Sequence, residues 1–80
     1  MTEEQKKNII EYYNKYVSKM ANAEEFMDSE NKEEEERADE TFSSALASQS
    51  AIDYTLTILG YTLVVNDEDF AIDIIKEAQQ

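Results

Sequence analysis

Ten of the nineteen carboxylates in this 80-residue chain fall within seventeen positions: Glu24, Glu25, Asp28, Glu30, Glu33, Glu34, Glu35, Glu36, Asp39 and Glu40. Only Lys32 and Arg37 interrupt them, so the stretch carries a net charge of −8 out of −12 for the whole chain. Carboxylates at this density can hold a hard cation, exchange protons in an acid–base pair, or meet a basic surface. A calcium loop needs alternating Asp or Asn ligands, a central Gly and a terminal Glu. Neither residues 24–40 nor Asn66-Asp67-Glu68-Asp69 has that order, so no metal is expected. Acid–base catalysis needs a pocket that raises one carboxyl pKa, and a run this hydrophilic reads as exposed.

Other catalytic chemistries find few residues to use. The chain has no Cys and no His, which removes thiolate, imidazole and the common zinc sets. Ser43, Ser44, Ser48 and Ser50 have no base beside them. We therefore expect no enzyme and no cofactor. Tyr12, Tyr13 and Tyr16 stand among Lys6, Lys7, Lys15 and Lys19, in the one stretch whose charge is positive, +1 over residues 1–23. These aromatics could stack on bases or anchor a protein interface, but Tyr13 and Tyr16 share an apolar helical stripe and read as packing residues. Tyr12 is off that stripe and reads as exposed.

Meeting a basic surface is then the chemistry left for the acidic run. Glu33 to Glu36 point in all directions around one helical turn, and Glu35–Asp39 and Glu36–Glu40 are like-charged i,i+4 pairs that weaken a helix. Between Glu30 and Glu40, seven acids less two bases leave five net charges. Spread over about 15 Å of helix, that is one per roughly 3 Å. A nucleic-acid strand carries one per about 3.4 Å. The partner expected is a basic protein surface of the kind that binds nucleic acid; direct binding to nucleic acid or an anionic membrane is disfavoured by repulsion. The competing explanation is solubility: Glu is a good helix former, acids suit a helix N-terminus, and Glu33–Arg37 would be a favourable i,i+4 pair. In size and charge the chain is similar to small acidic inhibitors of phages and mobile elements, including DNA mimics and anti-CRISPR proteins. That similarity is one of composition and assigns no residue a role.

The elements that must position these acids are legible in the spacing of apolar residues. Thr2 and Gln5 form a capping box with Glu3 and Glu4 in the first turn, and Ile9, Tyr13, Tyr16, Met20, Ala23 and Met27 follow at 4-3 spacing. This predicts a helix over about 3–27. Residues 28–31 form an acidic turn, and Asn31 with Glu34 has the form of a second capping box. Ala38, Phe42, Ala45, Gln49, Ile52, Leu56 and Leu59 repeat the spacing until Gly60, predicting a second helix over about 31–59. Gln49 is polar at a core-type position, a residue that could fix register or meet its copy across a dimer axis.

Residues 61–78 admit two readings. The favoured one is a β-hairpin turning at Asn66 to Asp69, with Val65 opposite Phe70, Leu63 opposite Ile72 and Tyr61 opposite Ile74, and with Thr62, Val64, Ala71 and Asp73 on the other face. The other is a short third helix capped by Asn66, with Ala78 on its apolar side. The fold expected is mainly α: one domain, residues 1–80, a long antiparallel two-helix hairpin with a small C-terminal β-hairpin, the alternative being a three-helix bundle. A homodimer through the apolar stripes, its acidic tip serving solubility, is the alternative functional reading. Met1-Thr2-Glu3-Glu4 lacks the basic start of a signal peptide, and the apolar stretch 51–65 is short and contains Asp53, so a cytoplasmic protein is expected.

Overall fold

The computed structural model describes residues 1–77. Two long helices form a hairpin, and a two-stranded antiparallel sheet follows at the C-terminus. The first helix, α1 (Glu3–Met27), begins with the box expected: Gln5 N–H donates to Thr2 Oγ1 at 3.0 Å, and Thr2 N–H donates to Gln5 Oε1 at 2.9 Å. The second, α2 (Lys32–Ile58), is capped by Asn31, whose Oδ1 accepts from Glu33 and Glu34 N–H. Glu34 does not return the bond as the sequence suggested. Its carboxylate accepts from Ser29 Oγ at 2.9 Å and braces the turn. Gly60 ends α2 at φ +85°, a conformation that a Cβ would strain.

The apolar stripes of the two helices face each other within one chain. Tyr13, Ala23, Ala38, Ala45 and Leu56 are buried, and Ile9, Tyr16, Met20, Met27, Phe42 and Ile52 are half-buried around them. Gln49 lies in this seam and donates to the Tyr13 hydroxyl at 2.6 Å, so its partner is intramolecular. A slip of α2 by one turn would leave that amide buried without any partner, at a cost of about 1–3 kcal/mol. Leu59, the last member of the predicted stripe, is instead 62% exposed, because α2 ends at Ile58 and α1 offers no further turn to cover it.

The third-helix alternative is overturned: β1 (Tyr61–Val65) pairs with β2 (Ala71–Lys76). Ala78 lies outside the described residues. The turn falls at Asn66 to Asp69 as expected, but the register differs. Val65 lies opposite Ala71, and a bulge at Ile72 then shifts the rest, so that Leu63 meets Ile74 and Tyr61 meets Lys76. The reason is the chemistry of the turn. Asn66 N–H donates to Phe70 C=O and its side-chain Oδ1 accepts from the N–H groups of Glu68 and Phe70, while Asp69 turns the chain at φ +69°. With Phe70 committed to Asn66, Val65 must pair one residue later. The extra residue, Ile72, bulges outward and is 59% exposed.

The shifted register turns Ala71 inward, where the sequence pattern put it on the outer face. Ala71 packs with Tyr13 and Val17, joined by Ile10, Ile52, Leu63 and Phe70. Ile74 is fully buried. Val17 and Ile10 belong to no predicted stripe; they form a second line on α1 that faces the sheet rather than α2. Asn14, on the same line, docks β2 directly: its Oδ1 accepts from Ala71 N–H at 2.7 Å and its Nδ2 donates to Ala71 C=O at 3.0 Å. Lys6 adds an ion pair to Asp73 at 3.6 Å. The sheet thus lies over the N-terminal half of α1 and leaves the acidic end bare.

Replacing Asn14 with Ala removes both bonds and strands the Ala71 amide against α1. We expect a loss of about 1–3 kcal/mol in urea denaturation, with amide exchange accelerating in β2 before it does in the centres of the helices.

Candidate functional site at the helical tip

The acidic run is built from the last turn of α1, a four-residue turn and the first turns of α2. Glu24, Glu25, Asp28, Glu30, Glu33, Glu34, Glu36, Asp39 and Glu40 are exposed, and Glu35 is half-buried. The molecule measures 51 × 20 × 18 Å, so these side chains crown one end of a rod. The sheet lies toward the other end. All ten acids predicted for partner binding are therefore brought to one end.

Helix physics accounts for only part of this charge. Glu33, Glu34 and Glu35 occupy the first turn of α2, where the helix dipole favours anions. Glu24 and Glu25 sit in the last turn of α1 and Asp28 caps it, where the dipole disfavours them, and no basic residue relieves that turn. Among the described residues the ion pairs are Lys6–Glu3 and Lys6–Asp73, neither at the tip. The expected Glu33–Arg37 pair is not formed. Arg37 turns instead toward the space between the helices.

That space is a second feature of the tip, which charge counting does not reveal. Lys19, Asn22, Ala23 and Phe26 of α1 and Glu34, Arg37, Ala38 and Thr41 of α2 line an open groove of about 510 Å³. Phe26 is 48% exposed at its edge. The sequence did hold a sign of this: Phe26 is one position off the stripe that contains Met27, so it cannot enter the seam. Among the described residues no group of three or more acids is arranged to hold a metal ion, and no helix is long and apolar enough to cross a membrane.

Along α1 the three tyrosines separate as their positions require. Tyr13 is core, while Tyr12 is 53% exposed and receives a hydrogen bond from the Tyr16 hydroxyl at 3.0 Å. The rings meet edge to face, with Lys15 over Tyr12 and Lys19 over Tyr16. When Tyr16 ionises, the hydroxyl hydrogen of Tyr12 turns to donate to its phenolate, and that bond holds Tyr16 below the ordinary phenol range and Tyr12 above it. Ser48 and the two lysine charges add to the lowering at Tyr16.

Two outcomes follow from these placements. Neutralising Glu24 and Glu25 to Gln should raise stability by about 0.3–1 kcal/mol each, and the same change at Glu33 should lower it, both read by urea midpoint and both shrinking with salt. Ultraviolet titration should show one tyrosine ionising early, and Tyr12→Phe should move that step to higher pH. Comparison with known proteins finds no family model, no curated relative and no solved structure that matches the chain, so its function is argued from this geometry alone.

Proposed function

We propose that this chain is a non-enzymatic binding protein whose acidic tip occupies a basic, nucleic-acid-binding surface of another protein, in the manner of small acidic inhibitors that mimic DNA. The observation that carries the reading is the placement of Glu24, Glu25 and Asp28 at the C-terminal end of α1, with no basic residue in that turn. Acids that merely kept the chain soluble would be free to lie elsewhere on a rod 51 Å long. Here they gather on both sides of one turn, including the side where they cost stability. The crowding of ten carboxylates at one end presents the partner with a convex, strongly negative surface, and its approach would be steered by charge.

In this reading Glu33 to Glu36, Asp39 and Glu40 meet Lys and Arg side chains along α2, and Glu24, Glu25, Asp28 and Glu30 meet those across the turn. Nucleic acid is then displaced by competition for the same cations. The tip itself repels nucleic acid and anionic lipid.

The test is a pull-down from nuclease-treated cell lysate with the immobilised chain. Nucleic-acid-binding proteins should be retained, should elute steeply as salt rises, and should be lost when Glu33, Glu34, Glu35 and Glu36 are all changed to Gln. Equal retention by that variant would sink the proposal and leave the acids with solubility as their role.

A further inference from the structure

A two-stranded sheet has two edges, and here only one is guarded. Glu77 N–H donates to Gly60 C=O at 2.9 Å, which fixes the alternation of the ladder. Thr62–Ile75 and Val64–Asp73 are then the pairs that exchange backbone bonds, and Tyr61, Leu63 and Val65 turn their N–H and C=O groups away from β2. On β2 the outward groups are taken. Asn14 holds both the N–H and the C=O of Ala71, Asp73 Oδ1 accepts from Ile74 N–H at 2.8 Å, and the bulge at Ile72 breaks the line. Bulges, inward charges and a covering side chain are how native sheets keep a foreign strand from adding. The edge of β1 has none of them. No hydrogen bond reaches the backbone of Tyr61, Leu63 or Val65 from another described residue, and the strand contains no charge and no proline.

Beneath this edge α2 supplies a ledge. β2 rests on α1 and β1 on α2. Strands pair about 5 Å apart and helices pack about 8–10 Å apart, so α2 reaches beyond the strand above it. Thr41, Ser44, Ala51 and Thr55 line the side of α2 turned away from the sheet. By helical spacing Leu46, Asp53 and Thr57 run along the other flank, under the open edge. Leu46 is 44% exposed and Val65 43%. Charge borders the edge without entering it: residues 54–66 carry none, in a chain of −12, and the run is bracketed by Asp53 before it and by Asp67, Glu68 and Asp69 after it.

We propose that the edge of β1 receives an extended segment of another protein, apolar at its centre and basic at its flanks, as a third strand of the sheet. The backbone row selects the conformation, since only an extended chain can meet the outward groups of Tyr61, Leu63 and Val65 together. Charge selects the composition. The apolar centre lies along Leu63 and Val65 above Leu46, and flanking Lys or Arg side chains meet Asp67, Glu68 and Asp69 at the turn. A second copy does not fit this edge. Paired antiparallel through β1, two copies keep their hairpins on one side of the sheet, and their α2 helices fall about 5 Å apart, inside the 8–10 Å or so that packed helices need. A segment with no helix beneath it meets no such obstacle. The inference does not depend on the role proposed for the tip, whose acids lie beyond the sheet.

Amide exchange followed by nuclear magnetic resonance reads the edge directly. In the free chain Tyr61, Leu63 and Val65 should exchange faster than Thr62 and Val64, and the capped peptide Lys-Lys-Val-Thr-Val-Thr-Val-Lys-Lys should slow those three by roughly tenfold or more. Val65→Pro removes an outward N–H that the fold does not use, so it should leave the helical circular dichroism unchanged and weaken peptide binding by roughly tenfold. Val65→Lys, a charged guard at the same exposed position, should weaken it likewise. N-methylating the peptide's valines or its threonines removes the donors of one of its edges at a time; one change should abolish binding and the other spare it. A peptide that leaves the β1 amides unmoved overturns the proposal. So do two Val65 variants that bind as the parent does, or two N-methylated peptides that bind equally, which attraction by charge alone would produce. A parent chain that sediments as a dimer, with Val65→Pro a monomer, overturns it too and gives the edge to a second copy.

Discussion

Tyr13 is where the three parts of this molecule meet. Its ring packs on Val17 and Ala71, joining α1 to the sheet, while its hydroxyl receives the Gln49 amide and joins α1 to α2. The seam on either side is made largely of small or half-buried residues, Ala23, Ala38 and Ala45 among them, which let the helices approach closely but hold little area each. Dispersion and burial therefore set the closeness of the helices, and the polar pair sets their register. Gln49 Oε1 is left without a partner, so this specification of register carries a penalty within the seam.

The helices were legible because their signals are local. A capping box, a 4-3 stripe and a glycine after the last turn each involve residues within a few positions of one another, and α1 and α2 begin and end within a residue of where those signals lie. The hairpin's existence was legible from its β-branched density. Its register was not, because that depended on the Asn66 side chain claiming two N–H groups across the turn and on Asn14 holding Ala71 from 57 positions away. Pairing rules assume an uninterrupted alternation, and the bulge at Ile72 breaks it. Val17 escaped for a related reason: a stripe that predicts one packing partner is too narrow for a helix that has two.

At the tip, composition located the acids but not their relation to the backbone. Charge counting treats Glu24 and Glu34 alike. The fold sets one against the helix dipole and the other with it, and that difference separates acids that stabilise the chain from acids it tolerates. The groove between them was invisible to the same reading, because its walls come from opposite ends of the two helices and only the antiparallel return brings Phe26 beside Arg37.

The sheet touches α1 from Lys6 to Val17 and goes no further. Beyond that point the described residues are two helices and a turn. Such an arm can change length without disturbing its base: a heptad added to each helix keeps the stripes in phase and carries the crown about 10 Å farther out. The distance between the anchored end and the charged end is thus an adjustable dimension, separable in evolution from the fold that supports it.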